Sequence, residues 1–382
     1  MISPTRMKIA LVVPGGVDRS GEYRVIPAIL ALLRHWSMEH EVCVYSLAPE
    51  PSAGSWTLAG ATIKSVGPVH GTAGLVDCYR AIRAIRRDHE AAPFDVIQSL
   101  WAGWPGFIAV VAARLLGIPG CVHVAGGELV SIPEVGFGGR QRWPGRVRER
   151  FVLRSAALVT AASEPMLEQI RALGFEGRRI PLGVDRVAWP LVAPVARDIH
   201  RPAQLIHVAS LNRVKDQATL LRAMKILADG GRAFTLDVVG EDTRRGEIHA
   251  LAEREGLAAR IRFHGFQTQA VTRSLMLNAH IHLITSRHEA GPLVFLEAAM
   301  SGIPSVSTAV GHPREYAPDA ALCVPIGDAA AFAAAVASLL DDEERRLSIA
   351  TAAQQRAATE DAGATAVSFV AEYSKLLRGS LA

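Results

Sequence analysis

Short apolar runs alternate with stretches of helical period along nearly the whole chain. Residues 8–14 (KIALVVP) read as a buried strand, 23–36 as an amphipathic helix, 41–46 as a strand, 75–89 as a helix and 94–99 as another strand. The alternation continues with a helix over 105–116, strands over 120–125 and 158–161, and a helix over 164–173. Apolar runs of this length bounded by turn residues suit strands buried on both faces, and parallel strands need helical crossovers. The expected class is therefore α/β, with parallel sheets covered by helices on each side.

The pattern lapses between 183 and 204, GVDRVAWPLVAPVARDIHRPAQ, where three prolines interrupt any period. It then restarts with strands over 205–210, 235–240, 260–264 and 280–285 and helices over 218–229 and 247–255, and the tail reads as helix over 328–339 and 343–381. This predicts two doubly wound, Rossmann-like domains facing a cleft: 1–185, a linker over 186–203, and 204–382, with the last helix packing back on the first domain. A length of 382 residues agrees with two domains at roughly 150 residues each.

Composition removes several classes. Hydrophobic residues make up 49% and charged residues 20%, which excludes a disordered chain. The longest apolar stretch, 106–127, is broken by Arg114, Pro119 and His123, short of the roughly 20 residues that span a bilayer. Residues 1–13 carry no secretory leader pattern, so a cytoplasmic location is expected. Cys43, Cys78, Cys121 and Cys323 are too scattered for a disulfide framework or a zinc site. Residues 1–190 hold 21 Lys and Arg against 16 Asp and Glu, and residues 191–382 hold 20 against 21, so the basic excess lies in the first half. It concentrates in Arg140, Arg142, Arg146, Arg148, Arg150 and Arg154, with Trp143 and Phe151 among them. Such a patch attracts anionic lipid head groups, nucleic acid or an anionic substrate; a solvated helix face paired with Glu149 is the plain alternative.

The richest chemistry lies in SRHEAGPLVFLEAAMSGIPSV, 286–306. Glu289 and Glu297 stand eight residues apart, across a Gly291-Pro292 turn and the start of a helix. Pro292 suits a first helical turn, leaving the backbone N–H groups of Leu293 and Val294 at the positive end of the helix dipole, a site for an anion. This spacing sets Glu289 at the loop mouth and Glu297 one to two turns into the helix, for a sugar and a ribose respectively. A dipole partner and a solvated helix residue are the alternatives.

Glu289-x7-Glu297 followed by Ala298-Ala299-Met300-Ser301-Gly302-Ile303-Pro304 resembles the signature of the retaining family-4 glycosyltransferases of GT-B fold. Other segments resemble that family in the right order. They are Pro14-Gly15-Gly16-Val17 as its glycine loop, His123 at its sugar-proximal histidine, and 180–185 at its end-of-domain segment. Residues 209–217 (ASLNRVKDQ) follow as its phosphate loop, and Gly311-His312-Pro313-Arg314-Glu315 as its Gly-Gly-x-x-Glu turn. The family's Arg five residues before its Lys is Ser210 here, and Gly291-Pro292 replaces its commoner aromatic-Gly.

The resemblance implies a retaining transfer of a sugar from a nucleotide-sugar donor to an acceptor hydroxyl in glycan, polysaccharide or glycolipid biosynthesis. Glu289 would hold donor sugar hydroxyls, Glu297 the ribose, and Lys215 with Arg213 the diphosphate. Gly15 and Gly16 would admit the diphosphate and sugar, and His123 would line the sugar site. For Arg213, for the glycine loop and for His123, solvation, a plain tight turn and a core histidine are the competing readings. The chain has no Asp-x-Asp, so no metal and no cofactor are expected. Expected partners are the donor and a sugar or lipid-linked acceptor, with peripheral contact to the inner face of an anionic membrane and no nucleic acid. A sugar-nucleotide epimerase of similar fold and a non-catalytic membrane-surface scaffold are the rival functions.

Overall fold

The computed structural model describes residues 6–48, 54–66 and 74–379. Residues 380 and 381 of the expected tail helix and residues 1–5 of the N-terminal stretch lie outside them. The described chain divides into two compact units, one of residues 6–183 with 362–379 and one of Val184–Asp361.

The first unit runs β1 (Lys8–Val13), α1 (Pro27–Glu39), β2 (Glu41–Ser46), β3 (Ser55–Leu58), β4 (Ala61–Ser65), α2 (Gly74–Ala91), β5 (Val96–Leu100), α3 (Trp104–Leu116), β6 (Gly120–Val124), α4 (Trp143–Ser155), β7 (Leu158–Ala161), α5 (Glu164–Ala172) and β8 (Arg178–Arg179). Its sheet has the order β3-β4-β2-β1-β5-β6-β7-β8, and every described pairing is parallel except β3 with β4. The apolar run of β1 is central and buried because it pairs with β2 on one side and β5 on the other. Helix α1 begins at Pro27 instead of Tyr23, since Val25 bridges back to Val17 and proline suits a first helical position. Gly117 in the left-handed conformation ends α3, its N–H donating to the Ala113 carbonyl.

The second unit runs β9 (Ala203–Val208), α6 (Gln217–Asp229), β10 (Phe234–Val239), α7 (Glu247–Arg254), β11 (Ile261–Gly265), α8 (Gln269–Leu277), β12 (Ile281–Ile284), α9 (Leu293–Met300), β13 (Ser305–Thr308), α10 (Gly311–Tyr316), β14 (Leu322–Val324), α11 (Ala329–Asp341) and α12 (Glu343–Thr359). Its parallel sheet has the order β11-β10-β9-β12-β13-β14, with one apolar cluster around Leu205, Leu236 and Phe332 and another around Phe295, Leu296 and Met300.

Two boundaries differ from the sequence expectation. The segment 186–203 is no tether: it is pinned to the second unit. Trp189 is 1% exposed, the Val192 N–H donates to the Met300 carbonyl at 3.0 Å, and Arg346 donates to the Val195 carbonyl at 2.6 Å. The tail from 343 is not one helix. It breaks at Glu360-Asp361, and its second part, α13 (Ala362–Gly379), belongs to the first unit. There Phe369 and Tyr373 are fully buried, Phe369 meets Trp36 with ring centroids 5.7 Å apart, and the Tyr373 hydroxyl donates to Gln98 Oε1 at 2.8 Å.

Candidate active site

In the second unit, three chain segments meet at the C-terminal ends of β9, β12 and β13, where doubly wound sheets take their ligands. The β9–α6 loop carries Arg213 and Lys215. Its helix is capped by Asp216, held at φ 48° with its carboxylate accepting from the Thr219 N–H at 3.3 Å. The loop after β12 is tied to it by the Arg287 N–H donating to the Val214 carbonyl at 2.7 Å and by the Thr285 hydroxyl donating to the Lys215 carbonyl at 3.0 Å. The β13 end is tied in by Thr308, whose hydroxyl donates to the Ser286 carbonyl at 2.6 Å.

This knitting brings Lys215 Nζ to 2.5 Å from Glu289 Oε1, which also accepts from the Ser286 hydroxyl at 2.6 Å. Both side chains are partly exposed, 25% and 14%, so an incoming ligand has access to the pair. Helix α9 follows directly. Pro292 is its N-cap with no side chain bonded to the helix start, so the half-buried Leu293 and Val294 present a first turn without a protein anion. Gly291 is half-buried beside them. Gly311, at φ +43°, lies against this turn so closely that a Cβ would come 2.8 Å from Pro292 Cδ and 3.1 Å from the Glu289 carbonyl oxygen.

Glu297 is one turn into α9. It is 7% exposed, which removes the solvated-residue alternative, and burial pushes its carboxyl up to about 7, eased by a hydrogen bond from Gln269. Beneath Lys215, His207 is enclosed and its basicity falls to about 4, first through burial and then through the Lys215 charge. Its ring is neutral, with Nδ1 2.9 Å from the Leu283 carbonyl and Nε2 3.2 Å from Gln217 Nε2, which also donates to the Ser210 carbonyl. That chain props the backbone of the β9–α6 loop. Ser210 and Arg213 are both exposed. Gly240, at φ +149°, is where the β9 and β10 ends touch: a Cβ there would fall 2.0 Å from the Ala209 carbonyl oxygen.

Sequence reasoning missed Arg287, Ser286, Gln217 and Gln269. Ser286 and Arg287 were within reach, standing three and two residues before Glu289; Arg287 donates to Asp216 at 3.1 Å. Gln269 carries no local signal for its contact with Glu297.

The other candidates lie in the first unit. Gly15 (φ +153°) and Gly16 (φ +80°) make a turn packed on Ala48 and Ile26, and a Cβ on Gly16 would come 2.5 Å from Ile26 Cγ1. Local packing therefore already requires that glycine. His123 is 0% exposed within β6, its Nδ1 2.9 Å from the Thr160 hydroxyl and its ring edge-on to Phe369. The ring is enclosed among core side chains of the first unit. At the same strand ends sequence reasoning missed Glu128, a buried carboxylate that accepts from the Ala102 N–H at 2.8 Å. Among the described residues no group of three or more His, Cys, Asp or Glu is placed to hold a metal ion.

The model of the glycosyl transferases group 1 family matches residues 196–356, and that of the glycosyl transferase 4-like domain matches residues 24–183. The chain belongs to the group 1 glycosyltransferases. Its relatives include the 2-deoxystreptamine glucosyltransferase of Streptomyces kanamyceticus, 28% identical over 57% of this chain and 60% of that protein. Another is the lipopolysaccharide core biosynthesis glycosyltransferase LpsE of Rhizobium meliloti, 30% identical over 52% of this chain and 58% of that one. The chain spans about half to three fifths of the length of such curated relatives. Among solved structures, sucrose-phosphate synthase from Thermosynechococcus elongatus superposes with TM-score 0.82 at 19% identity, covering 98% of this chain and all of that one. Anabaena HepE in complex with UDP and glucose gives 0.75 at 18%, covering 97% and 100%. The family member therefore has the two-domain GT-B fold, with its Glu289 and Glu297 where the group 1 model matches. Among its described residues no helix is long and apolar enough to cross a membrane.

Proposed function

We propose that this chain is a retaining glycosyltransferase that moves a sugar from a nucleotide-sugar donor to an acceptor hydroxyl in the assembly of a glycan, polysaccharide or glycolipid. The observation that carries the reading is the Lys215–Glu289 pair, partly exposed beside the uncapped start of α9. A leaving nucleoside diphosphate gains charge as its bond to the sugar breaks, and a lysine with a helix N-terminus is a preorganised complement to that charge. Glu289 accepts hydrogen bonds from the donor sugar hydroxyls, Glu297 from the ribose hydroxyls, and the Leu293 and Val294 N–H groups, with Gly291 leaving room, meet the phosphates. Arg213, exposed on the same loop, adds a second positive charge where Ser210 supplies none.

In the reaction the anomeric carbon–oxygen bond to the diphosphate breaks, and the acceptor oxygen bonds to that carbon from the same face. The acceptor proton passes to a phosphate oxygen, so no protein nucleophile takes part. Protein charge alone balances the diphosphate, so the proposal includes independence from metal ions. The acceptor, a sugar or a lipid-linked sugar, belongs to the first unit, at the cytoplasmic face of an anionic membrane.

The test starts with thermal shift against UDP, GDP and ADP, with and without EDTA, UDP first because HepE was crystallised with it. A nucleotide at 100 times its Kd stabilises the fold by about 2.7 kcal/mol. One nucleotide is expected to stabilise the protein equally in EDTA, and the matching sugar nucleotide to be consumed only when acceptor is present. Conversion of the donor with no acceptor would identify an epimerase instead, and vesicle binding with no nucleotide shift a scaffold.

A further inference from the structure

Helix α4 buries Val152 and Leu153 on its inner face, yet its outer face is unusual for a soluble surface. Its one carboxylate, Glu149, is fully buried, whereas Trp143, Val147 and Phe151, spaced four apart on one stripe, are 73%, 59% and 39% exposed. The adjacent stripe is Arg146, Arg150 and Arg154, again spaced four apart and all exposed. Sequence alone allowed these arginines to be a solvated face paired with Glu149; in the structure Arg146, Arg150 and Arg154 are solvated while Glu149 faces inward, with Arg148 at 3.7 Å and the Arg140 charge also acting on it. Arg146 donates to the Arg140 carbonyl and Arg150 stacks over the Phe175 ring, so neither contact neutralises a charge.

The apolar stripe does not stop at α4. The Phe151 ring lies 5.7 Å from Phe107 of α3, and Leu115 at the end of α3 is 66% exposed. Between the two helices runs an open groove of about 530 Å³ whose lining includes Val110, Ile118, Phe151, Arg114 and Arg154. A nucleic-acid duplex would use the guanidinium groups and leave the Trp-Val-Phe stripe in water. An interface that takes both is a bilayer surface: apolar side chains reach the acyl boundary while arginines beside them meet lipid phosphates.

We propose that α4, lying flat with Trp143, Val147 and Phe151 inserted and Arg146, Arg150 and Arg154 on the head groups, docks the first unit onto an anionic phospholipid bilayer. This deepens the acceptor side of the function proposed above, and rests on it only for the acceptor's location. The docking itself is independent of transfer.

The experiment is co-sedimentation of the whole protein with phosphatidylcholine vesicles with and without phosphatidylglycerol, at low and high salt, reading nucleotide thermal shift on the same samples. Binding is expected only with phosphatidylglycerol, weakening as salt rises. The triple variant Arg146→Gln, Arg150→Gln, Arg154→Gln and the double variant Trp143→Ala, Phe151→Ala should each lower it by about tenfold or more. Control variant Arg245→Gln, Arg254→Gln, Arg262→Gln, with the same charge removed from the second unit, should bind as the parent does. Equal binding by parent and α4 variants would overturn the proposal. So would absence of any phosphatidylglycerol preference, or a concentration-dependent dimer that Trp143→Ala, Phe151→Ala dissolves without vesicle binding. An unchanged first-unit unfolding transition in the α4 variants shows that they fold, and absence of a nucleotide shift in the parent counts against the transfer reading while leaving docking to be judged on the vesicles.

Discussion

Lys215 and Glu289, 74 residues apart in the chain, form a 2.5 Å ion pair that joins the β9–α6 loop to the loop before α9. Two long-separated loops thus share one charge pair, and each partner restrains the other before any ligand arrives. Removing either one should cost more than its own contact to the donor. Glu289→Gln and Lys215→Ala are each expected to lower kcat/KM by about a hundredfold or more, the scale seen when a preorganised charge is lost from a transition state. The double variant should be little worse than the worse single one. Initial rates of nucleoside diphosphate release check this, and strictly multiplicative losses would show two independent sites.

Glu297 makes stability depend on pH. Its carboxyl is raised to about 7 by burial, against 4.5 for an exposed glutamate. Between those values the folded state holds a proton that the unfolded state has lost, so this group's contribution falls as pH rises from about 4.5 and the penalty is complete above about 7. The penalty is at most on the order of 3 kcal/mol. Glu149, raised to about 7 likewise, gives the parent a similar slope, so the informative quantity is the difference between variant and parent. Glu297→Gln should gain Tm relative to the parent on going from pH 5 to pH 8, by roughly 3–6 °C. An equal difference at both pH values would mean Glu297 is not protonated in the fold.

Gly311→Ala tests the contact between the β13–α10 turn and the loop carrying Glu289 and Pro292. The glycine sits at φ +43°, and a Cβ would press on Pro292 and on the Glu289 carbonyl, so the substitution strains the turn and shifts Glu289 together. Gly327→Ala, at φ +81° with its nearest atom 3.8 Å away, carries only the conformational cost of about 1 kcal/mol. Activity should fall at least about tenfold more in the first variant than in the second. Matching activities would show that the Glu289 loop does not depend on that contact.

How much of this was legible in the sequence depends on the element. The β1, β2 and β7 runs declared themselves because strands buried on both faces are continuous apolar runs. The β3–β4 hairpin did not. Its strands are short, β3 is an edge strand with Trp56 and Leu58 only half-buried, and its turn is Ala59-Gly60 with Ala59 at φ 50°, where an asparagine would have signalled a hairpin. At the site, the spacing of Glu289 and Glu297 placed one at the loop and one on the helix. What spacing could not show is direction: His123 points into the core against Phe369 of a helix more than 200 residues later, and Glu149 points inward while Trp143 points out. The first depends on a partner distant in sequence, which no local pattern encodes.

Phe369 itself gives a test of the α13 seat. Fully buried against Trp36 and His123, its truncation to alanine should cost about 3–5 kcal/mol, lowering the Tm of the first unit's transition while a nucleotide shift in the second persists. A single unchanged transition would mean that α13 adds nothing to the first unit's stability.

That seat also bears on the order in which the molecule is made. The first unit leaves the ribosome with its sheet written out by residue 179, yet Gln98, Trp36 and His123 have partners at 366–373, which follow only after the whole of 184–361. The second unit, encoded by one uninterrupted stretch, has every strand and helix it needs while the first still waits with an apolar face uncovered. During synthesis the half that begins first is the half completed last, and it is then that a chaperone has something to hold.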